Sequence, residues 1–323
     1  MVGLWKKKKK KGMEKEFWFA CFEGKAEEVQ SLLENSQINI NWQNDSQYSR
    51  SSTPFHIACQ EGHIEVVQLL LNDKRVDINK RDDEGCTSFW IICKEGHIEI
   101  VKLLLSDNRV DINQTNHFGV TPFWVACHYR HSEVVKILLN DQRVDINQAS
   151  NNALTPFLFV CWKGYIEIVK LLLSDKRIDI NKANNYGTTP FWFACQEGHL
   201  EIVKLLLNDN RVDINKITDF DQTPFYIACE NGHIEIVKYL LASEREIDIN
   251  KKDKNGKTSL DISKEHSFST PKCSLEDEEQ EHDQESNYIK IVELIESFQK
   301  NQNKTRTKLR KELENLSLKN EMK

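Results

Sequence analysis

The chain has 323 residues, of which 39% are hydrophobic and 29% are charged. A chain of this length can fold as two average domains or as one elongated array, and it contains no apolar run near the ~20 residues of a membrane span. The net charge of −6 hides two basic ends and one acidic segment, which lie outside the repeated part of the sequence.

The first segment is the basic stretch MVGLWKKKKKKG. No apolar segment follows the lysines, so the stretch does not have the pattern of a secretory signal. We predict a disordered N-terminus over residues 1–15. The run Lys6–Lys11 also fits a nuclear-import signal, which leaves a nuclear location open as an alternative.

From residue 16 onward the sequence repeats with a fixed period. Successive units open with threonines at intervals of 34 residues, and the last interval is 35. These threonines are Thr53, Thr87, Thr121, Thr155, Thr189, Thr223 and Thr258. A diverged copy over about 16–41 precedes them, and the last copy is interrupted. We therefore predict a repeat array over residues 16–263.

Each unit predicts two short helices and an extended loop. The threonine–proline pair that opens a unit is typical of a helix start, which gives a first helix over about 54–61. A second helix over about 64–72 has apolar residues at helical spacing. Asn72 or Asp73 is predicted to end it in the left-handed conformation. Helices this short cannot bury a core alone, so we expect the units to stack.

Three segments follow the array. Residues 264–286 contain the acidic stretch SLEDEEQEHDQES and are predicted to be a disordered insertion. Residues 287–299 resume the helical pattern and are predicted to form the second helix of a closing repeat. Residues 300–323 are a basic tail with Leu309, Leu313, Leu316 and Leu318 at a spacing that favours a short amphipathic helix.

The unit TPFHIACQEGHIEVVQLLLNDKRVDINKRDDEG resembles the ankyrin repeat, whose pattern reads T-P-L-H-x-A-A-x-x-G-H-x-x-V-V-x-L-L-L. The resemblance implies an all-α ankyrin-repeat solenoid. It further implies helix–turn–helix units with β-hairpin fingers at right angles, in an L-shaped stack. The units here have 34 residues rather than about 33. Ala153 and Asp221 replace finger glycines, and we expect those two turns to be altered.

A cysteine stands four residues before a histidine in five of the units, as Cys59 does before His63. Cysteine with histidine suggests zinc. However, pairs in neighbouring repeats should lie about 10 Å apart, too far to share one ion, and we predict neither a metal nor another cofactor. The cysteine instead fills a small buried position. Seven cysteines at this repeat position favour a reducing compartment.

The resemblance places function at the finger tips and at the two positions before the Gly-His step. Aromatic side chains among polar ones are typical of protein-binding hot spots, and we expect them on one concave face. The alternative is that they only cover neighbouring fingers. The candidate partner-binding residues are His117, Phe118, His128, Tyr129, Trp162, Lys163, Tyr186 and Phe220.

A second aromatic series lies inside the first helices. Its members are Trp18, Trp90, Trp124, Trp192 and Tyr226. We predict that these rings pack between neighbouring repeats, where aromatic area contributes strongly to stability. The alternative is a ladder of rings that stacks a ligand.

The sequence contains no enzyme motif, and the repeats leave no segment of ~100 residues for a catalytic domain. We predict a non-enzymatic, monomeric scaffold or adaptor in the cytoplasm that binds a protein partner. We expect no small-molecule substrate, no membrane and no nucleic acid. One alternative is a nuclear regulatory adaptor directed by Lys6–Lys11, and another is a subunit that positions a substrate for a separate enzyme.

Overall fold

The structure is a computed structural model that describes residues 2–45, 50–268 and 278–321, without the side chains of 2–11, 278–285, 317 and 319–321. It divides into two compact units, Met1–Asn151 and Asn152–Lys323. Over the described residues the secondary structure is helical, with one isolated antiparallel bridge between Asn44 and Ser52 and no β-strand.

The first unit consists of four helix pairs in series. The first helices of the pairs pack against one another in chain order, and so do the second helices. The helices are α1 Val2–Phe22, α2 Ala26–Leu33, α3 Pro54–Gln60, α4 Ile64–Asn72, α5 Ser88–Glu95, α6 Ile98–Leu105, α7 Pro122–His128 and α8 Ser132–Asn140.

The second unit continues the same pairing and ends with two longer helices. Helix α16 packs against α15 to close the series, and α17 packs against α14 and α16. The helices are α9 Pro156–Lys163, α10 Ile166–Leu173, α11 Pro190–Gln196, α12 Leu200–Leu207, α13 Pro224–Glu230, α14 Ile234–Ala242, α15 Ser259–Phe268, α16 Glu278–Lys300 and α17 Gln302–Glu321. None of the helices in the described part of the chain has the length and apolar character needed to cross a membrane.

The N-terminal segment and the acidic insertion both differ from the sequence expectation. The structure describes residues 2–15 as helical backbone within α1, whereas the sequence predicted disorder over 1–15. Lysine has a good intrinsic helix propensity, so a lysine run can extend a helix that packing stabilises further along. Disorder was also predicted over 264–286, but residues 264–268 and 278–286 are helical backbone within α15 and α16. Residues 269–277 of that segment lie outside the described residues.

The threonine that opens each regular unit is a helix N-cap, as predicted. The Thr53 hydroxyl accepts the His56 backbone N–H at 3.2 Å, and the threonines of the following units accept the equivalent amide at 3.0–3.2 Å. Pro54 occupies the first helical position, where a backbone N–H has no partner to lose. The cap therefore fixes where the first helix of each regular unit begins, and a proline reinforces it in five of the six, the exception being Ser88.

Within each unit, the histidine of the Gly-His step joins a repeat to the one before it. In the first unit His97 Nε2 donates to the Gln60 carbonyl at 2.8 Å, and in the second unit His233 Nε2 donates to the Gln196 carbonyl at 2.7 Å. Gly62 has a φ of +77°, and a Cβ there would lie 2.9 Å from the His97 ring. In the closing pair Tyr288 takes the same place, and its hydroxyl donates to the Glu230 carbonyl at 2.8 Å.

The loops after α4, α6, α8 and α12 each contain an arginine that makes a second connection between repeats. Arg109 Nη2 donates to the Leu71 carbonyl at 2.8 Å and is itself held by Asp107. It thus satisfies a carbonyl at the end of α4 that has no partner within the helix. In the preceding repeat the Arg75 side chain donates to the Asp73 carboxylate as Arg109 does to Asp107, and this hydrogen bond lowers the pKa of Asp73. The predicted left-handed end at Asn72 or Asp73 is wrong, because Asp73 is extended and holds the arginine.

The fingers are tight turns rather than strand hairpins. In the finger of residues 184–188 the Asn184 side chain accepts the backbone N–H groups of Tyr186 and Thr188, each at 3.0 Å. Two backbone hydrogen bonds of 3.1 Å, from Asn184 N to Thr188 O and from Gly187 N to Asn184 O, close the turn. The β-strands expected in the fingers are therefore not seen in the described residues, because a side-chain oxygen replaces the strand ladder. The right-angle, L-shaped stack stays a prediction.

The turns at Ala153 and Asp221 keep the conformation of their glycine counterparts. Their φ values are +57° and +60°, against +73° at Gly187. Asp221 N donates to the Thr218 carbonyl at 2.9 Å, as Gly187 N does to Asn184 at 3.1 Å. The expectation of altered turns is wrong, because both L-residues adopt the left-handed conformation of the glycines that they replace.

We expect Ala153→Gly to raise the free energy of unfolding by about 0.5–1 kcal/mol. Glycine removes the conformational cost of holding an L-residue in the left-handed region. It also raises the entropy of the unfolded chain, which offsets part of this stabilisation. Urea denaturation followed by circular dichroism measures it. Gly187→Ala is the matched control with the opposite sign, since its Cβ would lie 3.0 Å from the Asp219 nitrogen. A loss of stability in Ala153→Gly would contradict this account.

Candidate functional site

The finger tips within each unit are linked to one another by backbone hydrogen bonds. In the first unit the His117 N–H donates to the Glu84 carbonyl at 3.0 Å. In the second unit the Asp219 N–H donates to the Tyr186 carbonyl at 2.9 Å. These bonds hold the turns in register, so the side chains at the tips project from a fixed backbone. Three tip side chains are strongly exposed: Phe118 at 66%, Tyr186 at 64% and Phe220 at 56%.

Four of the predicted site residues lie in the first unit, in two places. His117 and Phe118 are exposed on the finger before α7. His128 and Tyr129 lie at the end of α7, where the His128 ring stacks on Trp124 with 5.5 Å between centroids and contacts the Tyr129 ring at 4.8 Å. The Lys94 ammonium lies 5.7 Å from the Tyr129 ring. Tyr129 is thus a half-exposed ring supported by its neighbours.

The other predicted residues lie in the second unit, and three of them share one groove. Trp162, Tyr186 and Phe220 line an open groove of about 500 Å³ together with Trp192 and Phe193. The Trp162 and Phe193 rings are 5.6 Å apart. We call this the finger groove. Lys163 does not line it; its ammonium lies 3.9 Å from the centroid of the Trp162 ring.

The finger groove has an uncharged lining. Around the aromatic rings lie the side chains of Asn152, Asn184, Gln196 and Gln222, together with two threonines and one leucine. Among the described residues that form this lining, none carries a charge at neutral pH. The groove therefore combines aromatic surface with amide donors and acceptors, which are the groups that recognise a polypeptide.

Two aromatic residues of the finger groove were not among the predicted site residues. Phe193 takes a position that holds Ile, Val or Phe in the other units, so its ring had no distinguishing pattern. Trp192 belongs to the series predicted to pack between repeats. The burial of these five rings, which are at most 9% exposed, agrees with that prediction. Trp192 is nevertheless one of the residues that line the groove.

The first unit has a groove of its own, which the sequence interpretation missed. It encloses about 520 Å³ and is lined by Trp18, Phe19 and Phe22 of α1. The Trp18 and Phe22 rings stack at 5.7 Å, and Phe19 and Phe22 are 42% and 40% exposed. The sequence did contain a signal for this groove, because Phe22 is an aromatic residue at one of the two variable positions between Cys21 and Gly24. The lining also includes charged residues of both signs: Arg50, Asp82, Lys94 and Glu95.

The cysteines of the repeats are packed inside the helix pairs. Cys59, Cys93 and Cys127 have no exposed surface, and burial raises the pKa of each thiol. A thiol that stays protonated is a poor nucleophile and a poor metal ligand. Within the described residues no group of three His, Cys, Asp or Glu side chains has the arrangement to hold a metal ion.

Helix–turn–helix pairs that stack in series and repeat one sequence pattern define a helical repeat protein. The family model for ankyrin repeats, which spans three copies, matches residues 17–116, 89–184, 125–218 and 176–253. The chain therefore belongs to the ankyrin-repeat family, which confirms the resemblance seen in the sequence. No curated protein matches the chain. Ankyrin repeats are generally protein–protein interaction modules.

Proposed function

We propose that this chain is a non-enzymatic scaffold or adaptor that binds a partner protein through its finger tips and the ends of its first helices. The observation that carries the proposal is the finger groove, in which Trp162, Tyr186 and Phe220 line one depression. Large aromatic side chains that lie partly exposed beside amides have the composition of binding hot spots.

The mechanism is recognition by a preorganised surface. Asn184 fixes the turn that presents Tyr186, and a backbone hydrogen bond joins that turn to the next finger. The backbone therefore loses little conformational entropy when a partner docks, and more of the contact energy remains as affinity.

The test is affinity capture from cell lysate with the full chain, followed by mass spectrometry. We expect the double variant Tyr186→Ala, Phe220→Ala to lose a partner that the unmodified chain retains. Each truncation removes an exposed ring and should weaken binding by about 2 kcal/mol. Circular dichroism should show unchanged helical content, since neither residue is buried.

The matched control is Ile289→Ala, which removes an apolar side chain that is 47% exposed on α16. Ile289 does not line the finger groove, so its truncation should leave the captured proteins unchanged. If the double variant and the control capture the same partners in equal amounts, the binding surface lies elsewhere.

A further inference from the structure

The lining of the finger groove restricts what it can bind. Its aromatic residues are Trp162, Tyr186, Trp192, Phe193 and Phe220, and no charged side chain lies among the described residues that line it. A charged group brought into this groove would lose hydration and find no opposite charge within the lining. The lining therefore matches an occupant that is apolar and uncharged.

The amides of the groove indicate a polypeptide rather than a hydrocarbon. The Asn152 and Gln196 side chains make no hydrogen bond within the part of the chain that the structure describes. Each amide offers both a donor and an acceptor, which is the combination that pairs with the N–H and C=O of a peptide group. A purely apolar ligand would leave these groups unsatisfied.

Trp192 provides an independent observation. The residue is 8% exposed, and its indole Nε1–H has no hydrogen-bond acceptor among the described residues. The equivalent indole of Trp90 donates to the Val120 carbonyl at 3.0 Å. A buried donor without an acceptor is destabilising, and a carbonyl bound in the groove can satisfy it once the ring tilts toward the occupant.

We propose that the finger groove binds an extended, uncharged segment of a partner protein. One aromatic or large aliphatic side chain of the segment packs between the rings of Tyr186 and Phe220, and its backbone pairs with Asn152 and Gln196. This inference rests on the proposed function and specifies the chemistry of the partner. The groove spans three fingers, or about 20 Å at ~10 Å per repeat, which an extended segment of about six residues covers.

The experiment selects peptides from a phage-displayed random library on the full-length chain. Enriched sequences are then synthesised with a fluorescent label and titrated by fluorescence polarisation. We expect uncharged sequences with an aromatic or large aliphatic residue to be enriched. Their affinity should fall about 30-fold in Tyr186→Ala or Phe220→Ala.

The matched pair Trp192→Phe and Trp90→Phe tests the orphaned donor. Both variants remove a buried indole nitrogen, but the Trp90 nitrogen already has an acceptor within the chain. We expect the peptide affinity to fall about 5-fold in Trp192→Phe, as for loss of one hydrogen bond, and to stay unchanged in Trp90→Phe.

Three results would overturn the inference: enrichment of charged sequences, enrichment of no sequence, or an affinity that Tyr186→Ala and Phe220→Ala leave unchanged. These results are distinguishable from failure of the proposed function. If the double variant still loses a lysate partner while only charged peptides are selected, the scaffold function stands and the partner chemistry is wrong. If uncharged peptides bind but no lysate partner is lost, the proposed function is wrong at this surface.

Discussion

Replacing Leu309 by alanine should lower the free energy of unfolding by about 3 kcal/mol, the usual cost of removing a buried leucine side chain. Leu309 is 1% exposed on α17, which packs against α14 and α16. Arg310 Nε of the same helix donates to the Ala242 carbonyl at the end of α14, at 2.8 Å. Helix α17 therefore covers the last regular repeat as a further repeat would.

The measurement is urea denaturation combined with hydrogen exchange of the α14 amides, because repeat arrays can unfold locally. Leu316→Ala is the control on the same helix. Its side chain is 48% exposed, so we expect a change of less than about 0.5 kcal/mol. Equal effects of the two substitutions would show that α17 does not pack on the array through Leu309.

Acidification should destabilise the first unit through His56. The residue is 1% exposed, and burial lowers the pKa of His56 to about 4. Its Nδ1 accepts the Thr53 N–H and its Nε2 donates to the Cys86 carbonyl, each at 3.2 Å, so the neutral ring satisfies both atoms. Between pH 6.5 and 4 the unfolded chain binds a proton here that the folded chain excludes. Stability present above pH 6.5 is therefore lost as the pH falls, by about 3 kcal/mol in total.

The comparison for this prediction is His56→Leu. Leucine fits this position, since Leu158 occupies the equivalent one with no exposed surface. Carboxylates titrate in both proteins, so the difference between their stability–pH curves isolates the imidazole. The stability of the unmodified protein relative to His56→Leu should fall by about 3 kcal/mol from pH 7 to pH 4, and parallel curves would contradict the assignment of a neutral buried His56.

Much of the fold could be predicted because it depends on local pattern. Thr53 and Pro54 fix a helix start by hydrogen bonding and ring geometry within a few residues. The connections between repeats were harder to predict from the sequence. The role of Arg109 depends on a carbonyl 38 residues earlier, and no local rule pairs the two. The same limit applies to Asp221, whose left-handed φ is imposed by the turn around it rather than by its own preference.

The candidate site was predicted in part. Tyr186 and Phe220 stand out because the scaffold does not require aromatics at finger tips, and Trp162 because it occupies one of the two variable positions before the Gly-His step. Phe193 did not stand out, because an aromatic residue at a position that is mostly aliphatic in the other units is predicted to be buried in the core. The unsatisfied indole of Trp192 could not be predicted either, since every residue of its series has the same sequence context.

The direction of the histidine bonds bears on how the chain emerges during synthesis. The Gln60 carbonyl accepts its hydrogen bond from His97, 37 residues later. At a synthesis rate of ~10 residues per second, that carbonyl waits about 4 s for its donor. Within each unit a repeat thus completes the hydrogen bonds of the one made before it, and we expect the nascent chain to gain its structure from the N-terminus onward. Tyr288 supplies the donor for the Glu230 carbonyl. The loop after α13 is therefore complete only once residue 288 has left the ribosome.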